Sequence, residues 1–293
     1  MIDKNVDLKG KAVLVSLNIG AWGANKMDRQ VSIELADSKS IKDKKMVRAW
    51  KSLLAKNDEY DAIQSLISKA RAFHYLNTFA WAQEGQRLLP TRNFDFYMSF
   101  MRDIKQKFDF AVDTFIRKYP DLMEAARTAL NSIYKEADYP SVDSLKSRFY
   151  LNTITMPVPA GTMFEAEVDD ADAKRIREEI DETVSAAYRA ANEDLWNRMY
   201  ATINNMQARL TNPKGVREDS LKNLREMLAL LDRLNVSGDP RLERLRQQAL
   251  DKLGVSSAKE LNKEEDKRKN IAEAAKQIEA SMAEFMEFQS NAA

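Results

Sequence analysis

The sequence has no cysteine and only one histidine. Without thiols the chain can form no disulfide or thiolate metal site, and it has no cysteine nucleophile. Glycine and proline are scarce, with 8 and 7 residues among 293. No run of 18 apolar residues occurs, and the first residues lack the apolar core of a secretory signal. We therefore expect a cytoplasmic protein that does not enter a membrane.

Charge is abundant and unevenly placed. Charged residues make up 31% of the chain, yet the formal net charge is only +1. Residues 39–56 contain seven Lys/Arg and one Asp, whereas residues 164–198 contain eleven Asp/Glu and five Lys/Arg. The two segments either face each other or face different partners, and composition leaves both alternatives open.

The longest regular feature is the segment 172–210, which contains neither proline nor glycine. Its apolar residues recur at steps of three and four from Ile176 to Leu210, which places them on one side of an α-helix. Such a helix would be roughly 58 Å long. Because a small domain does not need that length, we expect an equally long element beside it. We predict an antiparallel partner in the helix Phe94–Lys118.

The remaining pattern predicts a mainly α fold, an elongated helical bundle or hairpin with a small antiparallel β-sheet at one end. Strands are expected near residues 11–19, 149–156 and 163–168, the last two forming a hairpin. Further helices are expected at 39–56 and 60–83, and a new helix is expected to start at Pro120.

A domain boundary is expected at Asn212–Gly215, where proline and glycine interrupt the helical pattern. This boundary divides the chain into a helical body with the small sheet, residues 1–211, and a C-terminal helical subdomain, residues 212–293.

One motif resembles a phosphate-binding loop but has the wrong spacing. Gly20 and Gly23 follow an apolar strand and precede Lys26. A nucleotide-binding P-loop has four residues between its glycines and a Ser or Thr directly after the lysine, whereas this motif has two residues and Met27. We interpret it as a turn that ends the strand.

No residue pattern names a reaction or a cofactor. His74 has no histidine or carboxylate at the i+3 or i+4 positions that zinc and di-iron sites use, so we interpret it as a packed structural residue. Asp109 and Asp113 are flanked by Lys105 and Arg117, a pattern typical of a solvated ion-pair face. We therefore predict no catalytic residue, no metal and no cofactor.

Two surfaces are candidates for partner contact. The first is the predicted basic helix 39–56, with Trp50 placed either for stacking or in the core. Its candidate phosphate contacts are Lys42, Lys44, Lys45, Arg48 and Lys51. The second surface is apolar and consists of Phe96, Phe100, Met282, Phe285 and Phe288. The overall pI of about 7.7 is low for a dedicated nucleic-acid-binding protein.

Several stretches resemble a known family. They begin at Val15 (VSLNIGAW), Met101 (MRDIKQKFDFAVDTFIRKY), Phe149 (FYLNTITMPVP) and Leu234 (LNVSGDPRL). Together they are similar to a family of unknown function from bacteriophages and plasmids. Its members are often encoded beside a MoxR-type AAA+ ATPase and a protein with a von Willebrand factor A domain. The resemblance implies a phage or mobile-element origin and an ATPase partner, and it supplies no active site.

These observations lead to two hypotheses of different classes. The first is a non-enzymatic interaction protein, a helical adaptor or scaffold that forms a homo-oligomer and is a partner of a MoxR-type AAA+ ATPase. The alternative is a nucleic-acid-binding protein of phage replication or host takeover that uses the basic helix 39–56.

Overall fold

The structure, a computed structural model, describes residue 8 and residues 10–291, and gives only the backbone for residues 284–291. The strands are β1 (Ala12–Gly20), β2 (Asn25–Asp28), β3 (Ala49–Ser52), β4 (Phe79–Ala80), β5 (Gln86–Pro90) and β6 (Tyr150–Pro157). The helices are α1 (Arg29–Ser38), α2 (Asp58–Leu76), α3 (Phe94–Leu130), α4 (Val142–Lys146), α5 (Asp170–Leu210), α6 (Glu218–Leu234), α7 (Pro240–Leu253), α8 (Ala258–Lys263) and α9 (Glu265–Asn291). The prediction of a mainly α fold with a small antiparallel sheet is confirmed.

The main sheet has the strand order β4-β5-β1-β6. The predicted strands near residues 11–19 and 149–156 are confirmed as β1 and β6. The predicted strand at 163–168 is wrong, because Gly161–Met163 forms a 3-10 turn and an irregular segment follows it. The sheet is completed by β5, which pairs antiparallel with β1 in the register Ala12↔Pro90. Pro90 is the last residue of β5, and beyond it the Thr91 N–H donates a hydrogen bond to the Lys11 carbonyl at 2.9 Å.

The chain folds into two compact units. Unit 1 comprises residues 1–16, 75–97 and 155–293, and unit 2 comprises residues 17–74 and 98–154. This division differs from the predicted boundary at Asn212–Gly215, because α5 before that turn and α6 after it pack against each other within unit 1. Unit 1 has 26 Lys/Arg and 30 Asp/Glu, whereas unit 2 has 20 Lys/Arg and 15 Asp/Glu. The formal charges are therefore −4 and +5.

Unit 1 is organised around α5, which has 41 residues. The predicted apolar side is confirmed, since Val184, Leu195, Met199 and Ile203 are all buried. Helices α9 and α6 pack along α5, whereas we had predicted the Phe94–Lys118 helix as its partner. The sequence periodicity identified the buried face correctly, but it contains no information about which helix covers that face.

The turn after α5 is fixed by a side chain from α8. Asn262 accepts a hydrogen bond from the Val216 backbone N–H at 2.8 Å and donates one to the Val216 carbonyl at 2.9 Å. Gly215 has φ +79°, and a Cβ at this position would lie 2.3 Å from the Asn262 amide oxygen. Both the positive φ and the close approach of Asn262 favour glycine at this position. The turn joins two packed helices of one unit.

Unit 2 is built on α2 and α3. The aromatic rings of Tyr60 and Phe115 lie 5.8 Å apart, and Phe73 stacks on Phe100 at 3.7 Å. Helix α3 continues through Pro120 to Leu130, whereas we had predicted that a new helix would start at this proline. Proline in a helix interior costs about 3 kcal/mol. Tyr119 offsets this cost, because it is buried and its ring contacts those of Trp22 and Phe115.

The predicted helix at 39–56 is wrong. This segment contains the end of the loop after α1, a 3-10 turn at Lys44–Met46 and strand β3. Strand β3 pairs with β2, which lies more than 20 residues earlier in the chain. Pairing with β2 therefore decides the structure of this segment. The helix-like spacing of its apolar residues is coincidental.

Candidate functional site

The candidate site lies in unit 2, at the two-stranded ribbon of β2 and β3. The strands are antiparallel, with Met27 opposite Trp50 and Lys26 opposite Lys51. Because side chains alternate between the faces of a strand, the two faces carry different residues. Trp50 is on the outer face, and 64% of its surface is exposed. Lys51 points to the other face and is only 6% exposed.

Lys51 is a buried structural cation. Its ammonium group lies 2.8 Å from an Asp138 carboxylate oxygen and 3.4 Å from one of Asp28, and it donates a hydrogen bond to the Ile133 carbonyl at 2.6 Å. An ammonium has three protons, so all three find an acceptor. Burial alone lowers the pKa of Lys51, but the two carboxylates outweigh burial and raise the pKa above its ordinary value. Lys51 therefore stays charged.

Asp28 has two roles at the junction of β2 and α1. One carboxylate oxygen accepts hydrogen bonds from the backbone N–H groups of Gln30 and Val31 at 3.1 and 3.2 Å, so Asp28 caps the N-terminus of α1. The other oxygen faces Lys51. The hydrogen bond from Val31 and the charges of Lys51 and Lys135 outweigh burial and lower the pKa of Asp28. Its carboxylate remains ionised.

The third wall of the site is the irregular segment after α3, which carries Lys135 and Asp138. Tyr139 anchors this segment, since it is buried and its ring stacks on Tyr134 at 5.1 Å. The Tyr119 hydroxyl donates a hydrogen bond to the Pro140 carbonyl at 3.1 Å. Burial raises the pKa of both Tyr119 and Tyr139 to about 12, so both phenols remain neutral. The segment is thereby positioned against the ribbon.

A cavity of about 520 Å³ opens between these elements, and we name it the ribbon pocket. Its size is within the range of small-molecule sites. Three basic side chains line it, together with Trp50 and the carboxylates of Asp28 and Asp138. The basic residues are Lys26, Arg29 and Lys135.

The residues predicted from sequence as phosphate contacts differ in exposure. Lys42, Lys44, Lys45 and Arg48 are exposed in the loop and turn before β3. Lys44 forms an ion pair with Asp37 at 2.6 Å. Lys51 is wrong as a surface contact, because it is buried between Asp28 and Asp138. Of the two placements considered for Trp50, the exposed one is correct.

The described residues of the predicted apolar surface differ in exposure. Phe96 is 48% exposed, and the Arg233 guanidinium lies over its ring at 4.2 Å. Phe100 is half-buried in unit 2 against Phe73. Met282 is completely buried in the core of unit 1, so its assignment to a partner surface is wrong. The side chains of Phe285 and Phe288 lie outside the described residues.

The sequence contained only part of the signal for the ribbon pocket. The sequence pattern indicated Lys26, which follows two glycines, and Trp50, which lies among lysines. The interpretation of Gly20–Lys26 as a turn is confirmed, since the segment joins the end of β1 to the start of β2. The sequence analysis did not identify Arg29 or Lys135 as site residues. Lys135 is more than 100 positions from Lys26 and Arg29, and the folded chain brings these residues to one cavity.

Within the described residues, no group of three or more His, Asp or Glu side chains is arranged to hold a metal ion. His74 is buried in α2, as expected for a packed histidine. None of the described helices combines the length and apolarity needed to cross a membrane. No protein-family model, curated protein or solved structure matches the chain.

Proposed function

We propose that this chain is a non-enzymatic interaction protein of phage or mobile-element origin, and that it binds single-stranded nucleic acid at the Trp50 surface. We define the Trp50 surface as the exposed side chains of Lys42, Lys44, Lys45, Arg48 and Trp50. The observation that carries the proposal is the 64% exposure of Trp50 within a unit of formal charge +5.

The chemistry of this surface suits single strands. Proteins that bind single-stranded nucleic acid combine basic groups along the backbone with aromatic rings on which bases stack. The four basic residues of the Trp50 surface lie within nine positions of Trp50 in the chain. The Lys44–Asp37 ion pair is half-exposed on both sides, so it is weak and yields readily to a phosphate.

A titration of the full chain with a fluorescently labelled 20-nucleotide oligothymidine tests this proposal. We expect affinity to fall steeply with salt, because bound lysines displace counterions. The double variant Lys44→Glu with Lys45→Glu should bind more weakly, and its salt slope should decrease by about 0.7 for each lost phosphate contact.

The matched control is Lys69→Glu with Arg71→Glu, which makes the same charge change at exposed positions on α2. We expect it to bind like the wild type. Binding that ignores both salt and the Lys44/Lys45 change would rule out the Trp50 surface.

A second candidate is an adaptor for a protein partner, and the exposure of Phe110 favours it. Phe110 is 72% exposed in the middle of α3, whereas Phe108 and Phe115 in the same helix are buried. The family resemblance suggests a MoxR-type AAA+ ATPase as the partner and a homo-oligomer as the working form.

Size-exclusion chromatography with light scattering tests the second candidate, with the chain alone and with a MoxR-type AAA+ ATPase. The chain mass is 33.5 kDa, so a homo-oligomer elutes at a multiple of that value. We expect Phe110→Ser to abolish co-elution with the ATPase, and the exposed-site control Val142→Ser to retain it. Equal co-elution of both variants would exclude Phe110 from the contact.

A further inference from the structure

The ribbon pocket contains more positive charge than its own carboxylates can neutralise. Asp28 and Asp138 are both in contact with the buried ammonium of Lys51, at 3.4 and 2.8 Å. Asp28 also accepts hydrogen bonds from two backbone N–H groups at the start of α1. With Lys51 included, four cations lie at the pocket against two carboxylates, which leaves a net charge of +2 there.

The three basic residues that line the pocket remain available. Lys26 is 4.0 Å from Asp138, a long ion pair with a carboxylate that Lys51 holds more closely. In the part of the chain that the structure describes, Arg29 and Lys135 form no ion pair. Three cations that line one cavity attract an anion, and phosphate accepts hydrogen bonds from both Lys and Arg.

Trp50 adds an aromatic wall to the same cavity. Trp50 is 64% exposed, and a nucleobase can stack on an exposed aromatic ring. A phosphate and a planar base occur together in a nucleotide, and a cavity of about 520 Å³ has room for one.

We infer that the ribbon pocket is a nucleotide-phosphate site, in which Lys26, Arg29 and Lys135 hold one phosphate and Trp50 stacks on the attached base. The inference rests on the proposed function, because Trp50 belongs to both surfaces. It goes further by naming the basic residues that bind within the pocket, none of which belongs to the segment 39–56. The nucleotide is either one unit of a strand or a free mononucleotide.

The test uses the full chain and three probes: ten-nucleotide oligothymidine, thymidine 5′-monophosphate, and thymidine without phosphate. Isothermal titration calorimetry measures binding in the wild type and in every variant, including those that lack Trp50. We expect both phosphorylated probes to bind, and thymidine to bind at least tenfold more weakly than its monophosphate.

The decisive variant is the triple change Lys26→Gln, Arg29→Gln and Lys135→Gln. We expect it to weaken binding of both phosphorylated probes by tenfold or more. The control triple change, Lys69→Gln, Arg71→Gln and Arg102→Gln, removes the same charge from exposed positions elsewhere in unit 2 and should bind like the wild type. Trp50→Ala should weaken binding about tenfold through lost stacking, and Trp50→Tyr should restore most of it.

The outcomes separate the two proposals. If the pocket triple variant binds both phosphorylated probes as the wild type does, the pocket inference is wrong and the nucleic-acid function stands. If the wild type binds the monophosphate and not the oligonucleotide, and the triple variant loses that binding, the pocket inference stands for a free nucleotide and the nucleic-acid function falls. If the wild type binds neither probe, both are wrong. Matching circular dichroism spectra verify that all variants fold.

Discussion

The two units both have apolar cores, but they differ in formal charge and in the polar groups that they bury. Unit 1 buries an apolar stripe of α5 beneath α6 and α9, and its formal charge is −4. Unit 2 also has an apolar core, but it additionally buries Lys51 with Asp28 and Asp138, exposes Trp50 and has a formal charge of +5. A buried ion pair is weak evidence for stability, because desolvation consumes most of its Coulomb energy. We therefore interpret the Lys51 cluster as a device that fixes the geometry of the ribbon.

The largest effect should come from Lys51→Met, which leaves two carboxylates without their buried cation. Breaking a buried pair from one side costs about 3–5 kcal/mol. We expect the free energy of unfolding to fall by that amount in urea titrations, with amide exchange rising first in β2 and β3. The control Lys51→Arg keeps the charge and should retain more stability. A Lys51→Met variant as stable as the wild type would show that the cluster is not coupled to folding.

In unit 1, Leu195→Ala should break the apolar packing of α5. Leu195 is completely buried, and a Leu→Ala change in a core costs about 2–5 kcal/mol. The exposed neighbour Glu193→Ala serves as the control and should change stability by about 0.5 kcal/mol or less. The same urea titration measures both variants. Equal effects would contradict the assignment of the buried face.

The smallest expected effect is a pH dependence that belongs to unit 2. The pKa of Asp28 is lower in the folded chain than in the unfolded chain. The unfolded state therefore binds more protons. The stability that the Asp28 carboxylate contributes is present above about pH 4 and is lost as the pH falls through the folded pKa. Asp28→Asn should unfold more easily by about 2 kcal/mol at pH 7, through the lost charged hydrogen bond.

Urea titrations between pH 3 and pH 7 measure this effect. The wild type should lose stability more steeply than Asp28→Asn as the pH falls, and the two curves should converge at the acid end. Asn still caps a helix, so α1 is expected to persist in the variant. Parallel curves over the whole range would remove Asp28 from the acid response.

The success of the sequence-based predictions depended on whether the decisive interaction was local. Helix α5 was predicted to within two residues, because 41 residues without proline or glycine leave little alternative to a helix. The capping box at Ser257 and the proline at the start of α7 are local features of the same kind, since each involves residues within one helical turn. Helix α3 was predicted too short, because the burial of Tyr119 lies outside any local pattern.

The candidate site was also predicted only as far as its interactions are local. The lysines at 39–56 and Trp50 were identified, but the segment was predicted as a helix. Its structure is decided by pairing with β2 and by Asp138, which approaches from the segment after α3. The same fold buries Lys51 and brings Lys135 to the ribbon. Neither fact is visible in the sequence around residue 51.

The sequence by itself determined the helical class, the buried side of α5 and the excess of basic residues near Trp50, because periodicity and local charge are properties of neighbouring residues. Only the tertiary structure decided which lysine is buried and which basic side chains line a cavity together with Trp50. An ammonium leaves water only where several acceptors meet it, and here those acceptors come from separate parts of the chain.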